Sequence, residues 1–120
     1  MKPYQDARVE GEKLAKQYAE LEKAEQVDFY NGLEGYYSVL GHNKKQEAIA
    51  VLIEKNDHKI YVYQLDKGIS QDKAATISRE KGASDIDKVT FGRYQDKPIW
   101  EVKSGNQYYL VDFETGAVIQ

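Results

Sequence analysis

Apolar residues in the first part of the chain recur at three- and four-residue spacing: Tyr4, Ala7, Gly11, Leu14, Tyr18 and Leu21. That stripe predicts one long helix over 3–24. Glu12 with Lys16, Lys16 with Glu20, and Glu20 with Lys23 fall at spacings that pair on a helix surface. The stripe is richer after Gly11, so 3–11 reads as an exposed lead-in. From Val27 the period changes. Val27 and Phe29 alternate with Asp28 and Tyr30, and Asn31-Gly32 supplies a hairpin turn. A strand is predicted over 34–40, ended by the turn Gly41-His42-Asn43-Lys44-Lys45. The apolar run from Ala48 to Ile53 has the length and flanking turn residues of a central strand, predicted over 47–54. After Asn56-Asp57, residues 59–65 alternate as a further strand.

The second half repeats this plan. Ser70 is a good N-cap, Asp72 lies where the helix dipole favours a negative charge, and Ile69 can staple onto Ala74. Ala74, Ala75, Ile77 and Ser78 give the helix a narrow face of mostly small residues, and Gly82 ends it in a left-handed position. Strands follow over 88–94, 99–103, 108–113 and 117–119. Gln95–Pro98, Ser104-Gly105-Asn106 and Glu114-Thr115-Gly116 are the turns between them. Trp100, Phe91, Val111 and Ile77 lie on the apolar phase of their elements and are the expected core.

Set side by side, Val27-Asp-Phe matches Val89-Thr-Phe, Tyr37-Ser-Val matches Trp100-Glu-Val, and Ala50-Val-Leu roughly matches Leu110-Val-Asp. The predicted fold class is α+β: two cystatin-like units, each one helix packed on a 3–4-stranded antiparallel meander. The first spans 1–66 and the second 67–120. Each unit alone would be marginal in size, so the two are expected to pack together or share a surface.

The stretch from Gly68 to Ile77 opening a helix, then Trp100-Glu-Val, then Tyr109-Leu-Val-Asp-Phe-Glu-Thr-Gly-Ala-Val, resembles a PepSY-type module. With the preceding half of similar design, the chain resembles the YpmB family of TseB-type cell-wall elongation regulators. The resemblance covers most of 12–119. It rests on specific motifs in the second half and on pattern in the first. It implies a non-enzymatic binding and regulatory module on the extracytoplasmic face of a Gram-positive cell membrane. Such a module would act on peptidoglycan synthesis through a protein partner such as a penicillin-binding protein. The family's transmembrane helix is not in this sequence, so the chain is expected to be an ectodomain whose anchor lies upstream. The alternative is a PepSY- or cystatin-like protease inhibitor or peptidase-regulating domain. That role needs an apolar wedge of hairpin tips, whereas Asn31-Gly32 and Ser104-Gly105-Asn106 are small and polar. A small-molecule carrier using the concavity of a curved sheet is a third reading.

Composition narrows the chemistry. Net charge is −3 with both signs mixed along the chain, so no footprint for nucleic acid appears. No apolar run approaches the ~20 residues of a membrane span, and Met1-Lys2-Pro3 leads into polar sequence rather than a signal peptide. There is no Cys for disulfide or thiol chemistry. His42 and His58 both sit in predicted turns, no serine lies in a nucleophile elbow, and no phosphate-binding loop is present. Asn56-Asp57-His58 and Ser84-Asp85-Ile86-Asp87 lack metal-ligand spacing and read as solvated turns. No cofactor is expected. Glu101, Asp112 and Glu114 crowd the last hairpins, where strand-edge charges discourage aggregation.

The compositional outlier is tyrosine, with ten. Tyr30, Tyr36, Tyr37, Tyr61, Tyr63, Tyr94, Tyr108 and Tyr109 fall in predicted strands. A half-buried sheet accommodates such residues, ring inside and phenol in water. Eight exceed what two small cores bury, so some are expected to face solvent, where tyrosine is enriched in binding surfaces. Tyr36, Tyr37, Tyr61, Tyr63, Tyr108 and Tyr109, with the cleft between the halves, are the candidate partner-contact positions.

Overall fold

The computed structural model describes residues 13–17, 20–32 and 34–119. The chain forms two compact units, Met1–Leu65 and Asp66–Gln120. The predicted lead-in over 3–11 lies outside the described residues.

In the first unit, residues 13–17 are helical (α1). The predicted helix does not reach Ala24. At Glu20 the backbone is left-handed (φ 58°), and a strand, β1 (Leu21–Asn31), begins at the next residue. A non-glycine residue in that region cannot continue a right-handed helix. Leu14 and Leu21 nevertheless reach the same core, one from the helix and one from the strand. Helical spacing was therefore a true signal of burial at both positions, and of conformation at Leu14 but not at Leu21.

Three further strands complete a sheet ordered β1-β2-β3-β4: β2 (Gly35–Asn43), β3 (Ala48–Glu54) and β4 (Ile60–Gln64), all antiparallel. Gly41, His42 and Asn43, expected in a turn, belong to β2. The turn starts at Asn43, whose Oδ1 accepts from the N–H groups of Lys45 (2.9 Å) and Glu47 (3.0 Å). This Asx arrangement lets the strand run three residues further before reversing. The core gathers Ala15, Leu21, Val27, Tyr37, Val39, Ile49, Val51 and Ile53. The alternation of a half-buried strand is absent from β2, where Tyr36, Ser38 and Leu40 are as buried as Tyr37 and Val39. β1 carries register irregularities between Leu21 and Lys23 and between Ala24 and Gln26. There the Lys23 carbonyl passes so close to Gly41 that a Cβ at that glycine would lie 1.9 Å from its oxygen.

A 3-10 turn (Leu65–Lys67) leads to the second unit: α2 (Gln71–Glu80), then β5 (Lys88–Tyr94), β6 (Lys97–Ser104) and β7 (Gln107–Asp112) as an antiparallel sheet ordered β5-β6-β7. Ser70 caps α2, its Oγ accepting from Lys73 N–H at 3.0 Å. Gly82 follows the C-cap at φ 116°. Ala74, Ala75 and Ser78 form the buried face. Ile77, expected in the core, is only half-buried and lies beside the Gly116 turn. The predicted last strand over 117–119 is reduced to one bridge, Val111 with Val118.

Trp100, Phe91 and Val111 are buried as expected. The Trp100 indole stands edge-on to Phe91 (centroids 4.9 Å, 84°), and Phe91 to Phe113 (5.2 Å, 81°). Trp100 Nε1–H donates to the Ile69 carbonyl at 3.0 Å, tying the sheet to the entrance of α2.

One cross-strand pattern occurs in both units. Phe29 opposes Tyr37 and Val27 opposes Val39 in the first, and Phe91 opposes Trp100 and Val89 opposes Val102 in the second. Both aromatic pairs are edge-on. On the third strand, Tyr37 pairs with Ile53 and Trp100 with Val111. The equivalent of Val111 is thus Ile53, two residues beyond the expected Val51.

Trp100→Ala removes the centre of an aromatic cluster and the donor to Ile69, and it should lower unfolding free energy by about 3–5 kcal/mol, read by urea denaturation. Gly41→Ala forces a Cβ onto backbone, so it should cost about 1–3 kcal/mol as overpacking, with loss of hydrogen-exchange protection confined to the β1–β2 pairing.

Candidate functional site

The sequence-level candidates divide sharply by burial. Tyr36 and Tyr37 sit on β2 with 2% and 7% of their surface exposed, so neither is available to a partner. Their rings are structural: Tyr37 packs edge-on with Phe29, and Tyr36 lies between Tyr30 and Tyr61. Tyr61 and Tyr63 on β4 are half-buried, as is Tyr109 on β7, whose hydroxyl donates to Gln107 Oε1 at 2.8 Å. Tyr108 is 54% exposed. Of the six candidates, the accessible ones therefore lie on β4 and β7, the last strands of their sheets.

The strands explain this division. β2 and β3 are central and buried, so a tyrosine there serves the core; β4 and β7 are hydrogen-bonded by a full strand on one side only. Sequence alternation could not separate the two cases, because Tyr36-Tyr37 and Tyr108-Tyr109 look alike in isolation.

Other polar groups have local structural tasks. His42 lies in β2, paired with the Glu25 carboxylate, and His58 occupies a left-handed turn position (φ 57°) with its N–H donating to the Glu54 carbonyl at 2.8 Å. Asp87 Oδ2 accepts from Gly105 N–H at 2.8 Å, so this aspartate braces the β6–β7 turn. Among the described residues, no group of three or more His, Asp or Glu side chains is placed to hold a metal. Neither Asp112 nor Glu101 is an exposed strand-edge charge. Asp112 is buried and accepts from Glu114 and Thr115 N–H through Oδ1 (2.8 and 3.0 Å). Glu101 lies in the central strand β6, facing Thr90 and Leu110 across the sheet. Burial pushes its carboxyl above the ordinary glutamate range, and the Lys88 charge only partly offsets that.

Known proteins share this chain's pattern. The model of the cell wall elongation regulator TseB-like domain matches residues 10–54. The probable cell wall elongation regulator TseB of Bacillus subtilis (strain 168) is 37% identical over 114 residues, covering 88% of this chain and 70% of that protein. This chain belongs to the TseB-like family. The YpmB protein from Bacillus subtilis has a solved structure that matches at a TM-score of 0.78 and 32% identity, covering 100% of this chain and 96% of that one. Within this TseB-like chain, the region matched by the family model contains α1 and β1 to β3, including the buried Tyr36 and Tyr37. The accessible tyrosines of β4 and β7 fall outside it.

Glu101 gives this chain a measurable pH signature. A carboxyl raised in the folded state favours folding while protonated; that contribution is full below the unfolded glutamate range and is lost as pH rises through the folded value. Glu101→Gln should therefore raise Tm more at pH 7 than at pH 4, read by paired thermal melts.

Proposed function

We propose that this chain is a non-enzymatic regulator of cell wall elongation that works by binding a protein on the extracytoplasmic side of the membrane. The observation that carries this reading is its membership in a family with a Bacillus subtilis protein named as a probable cell wall elongation regulator. On this reading the chain is the ectodomain of a membrane-anchored protein, and its partner belongs to the peptidoglycan-synthesis machinery, a penicillin-binding protein being the first candidate. No helix among the described residues is long and apolar enough to cross a membrane. An anchor would have to be supplied by sequence outside them.

The contact is assigned to Tyr61 and Tyr63 in the first unit and to Tyr108 and Tyr109 in the second. Amphipathic rings on edge strands present large contact area with few rotatable bonds, which suits a binding surface. The helix-on-meander plan of each unit supports a pair of cystatin-like modules, the second of PepSY type. Tethering would keep a membrane-bound partner at high local concentration, so a modest affinity would serve.

The test is to immobilise the chain and pass solubilised membrane proteins from a Gram-positive cell over it, together with peptidoglycan fragments. Retention of a penicillin-binding protein, lost when Tyr61, Tyr63, Tyr108 and Tyr109 are changed to Ser without unfolding, is the expected result. Inhibition of a peptidase with no synthase retained would replace this reading with protease control.

A further inference from the structure

The two units differ at one place where their shared pattern says they should agree. In the first, the third strand β3 is flanked by a full fourth strand: Ile53, Leu52, Val51, Ala50 and Ile49 pair with Ile60 through Gln64. In the second, Val111 is the counterpart of Ile53, and its bridge to Val118 is the counterpart of the Ile53–Ile60 pair. Beyond that bridge, Ile119 N–H donates to the Leu110 carbonyl at 2.7 Å, and no described residue follows along β7. The stretch of β7 equivalent to the part of β3 covered by Val62, Tyr63 and Gln64 is Gln107–Tyr109.

We infer that this open edge of β7 is a strand-addition site for an acidic, extended segment of a partner protein. The hydrogen-bonding parity of the edge is known from the chain itself. Leu110 accepts from Ile119, and Asp112 N–H donates to the Ala117 carbonyl at 2.8 Å, so even-numbered residues of β7 direct their peptide groups outward. Tyr108 therefore offers both its N–H and its C=O to an added strand, and Leu110 offers its N–H. The edge already accepts strand-like pairing from residues 117–119, so its geometry suits addition.

Charge selects the occupant. Across the sheet, Tyr108 opposes Lys103, and Lys103 opposes Lys88. Two lysines directly opposite each other on neighbouring strands destabilise a sheet unless an anion compensates. Glu101, diagonal to Lys88 on the neighbouring strand and two residues before Lys103 on the same strand, answers Lys88. Lys103 is exposed and has no carboxylate within ion-pair distance among the described residues. A carboxylate on an added strand, opposite Tyr108 and on its face, would lie across the exposed phenol ring from Lys103. The neighbouring residue of that strand, opposite Tyr109, would face the α2 side of the sheet, where β-branched side chains fit. A polypeptide answers both features, because alternating peptide donors and acceptors pair with the edge while its carboxylate meets the lysine. An anionic phosphate polymer answers the charge alone.

This assignment rests on the reading of the chain as a protein-binding regulator and names one surface and one class of partner for it. The experiment titrates the isotope-labelled full chain with a blocked peptide of alternating valine and glutamate, followed by backbone NMR and amide exchange. Its controls are the valine–lysine peptide and poly(glycerol phosphate). The expected result is that Tyr108 and Leu110 amides shift and become protected with the acidic peptide only. Affinity should fall about tenfold or more at about 0.5 M sodium chloride. Lys103→Glu should weaken binding comparably. Tyr108→Pro should abolish protection while leaving the Trp100 environment unchanged, since an outward-facing edge N–H is where proline is tolerated. Tyr108→Ser, which keeps the N–H, should retain protection. Shifts at other strands, equal binding of the lysine peptide, or salt-sensitive shifts with the phosphate polymer and no amide protection would each overturn the proposal. Failure of the regulator reading would look different: the acidic peptide would bind as described, yet Lys103→Glu would leave retention of every wall-synthesis protein unchanged.

Discussion

The second unit depends on a single indole. Trp100 fills the centre of its sheet's inner face, and its one polar atom lies where α2 begins, against the Ile69 carbonyl. That carbonyl belongs to a chain entrance further fixed by Ile69 N–H on the Phe113 carbonyl and by Gly68, where a Cβ would lie 2.3 Å from the same oxygen. Helix entry, central strand and final turn thus converge on Trp100 and Phe113. A unit of this size has little apolar area to spare, so one large ring with a satisfied donor is an efficient solution. The first unit has no tryptophan; Tyr37 holds the equivalent position, edge-on to Phe29.

Much of this was legible in the residues because local chemistry and fold agreed. The bounds of β5 follow directly from alternation between two turns, and Ser70 and Gly82 bracket α2 by their capping chemistry. The Val-x-Phe and aromatic-x-Val motifs signalled a repeat whose cross-strand pairing the structure displays. What misled was burial that two conformations can achieve. Leu21 continues a helical stripe yet lies in a strand, because a left-handed Glu20, invisible to periodicity, intervenes. Gly41-His42-Asn43 reads as a turn by composition, but Asn43 alone makes the turn and the glycine is needed for a close strand crossing.

The candidate surface was only partly legible, for a related reason. A pair of adjacent tyrosines in a strand always places one on each face, so sequence says nothing about which strand has neighbours on both sides. Topology decides that Tyr36 and Tyr37 are core and Tyr108 is surface. The raised carboxyl of Glu101 was hidden likewise, since an acidic residue between valine and tryptophan reads as an outward charge until its strand proves to be the middle one.

The β5–β6 turn shows how an unfavourable conformation can protect a pairing. Gln95 and Asp96 are both left-handed (φ 49° and 66°) without a glycine between them, held by Arg93 reaching Asp96 Oδ1 at 3.3 Å. Sliding the turn one residue toward the C-terminus would make Pro98 its closing residue, where an N–H is needed that proline lacks. Sliding it the other way would put Tyr94 into a left-handed position, which its bulk resists. Slippage is blocked in both directions, so Phe91 meets Trp100 and no other residue. Here a locally awkward turn holds the sheet to a single register, the one in which its aromatic side chains meet.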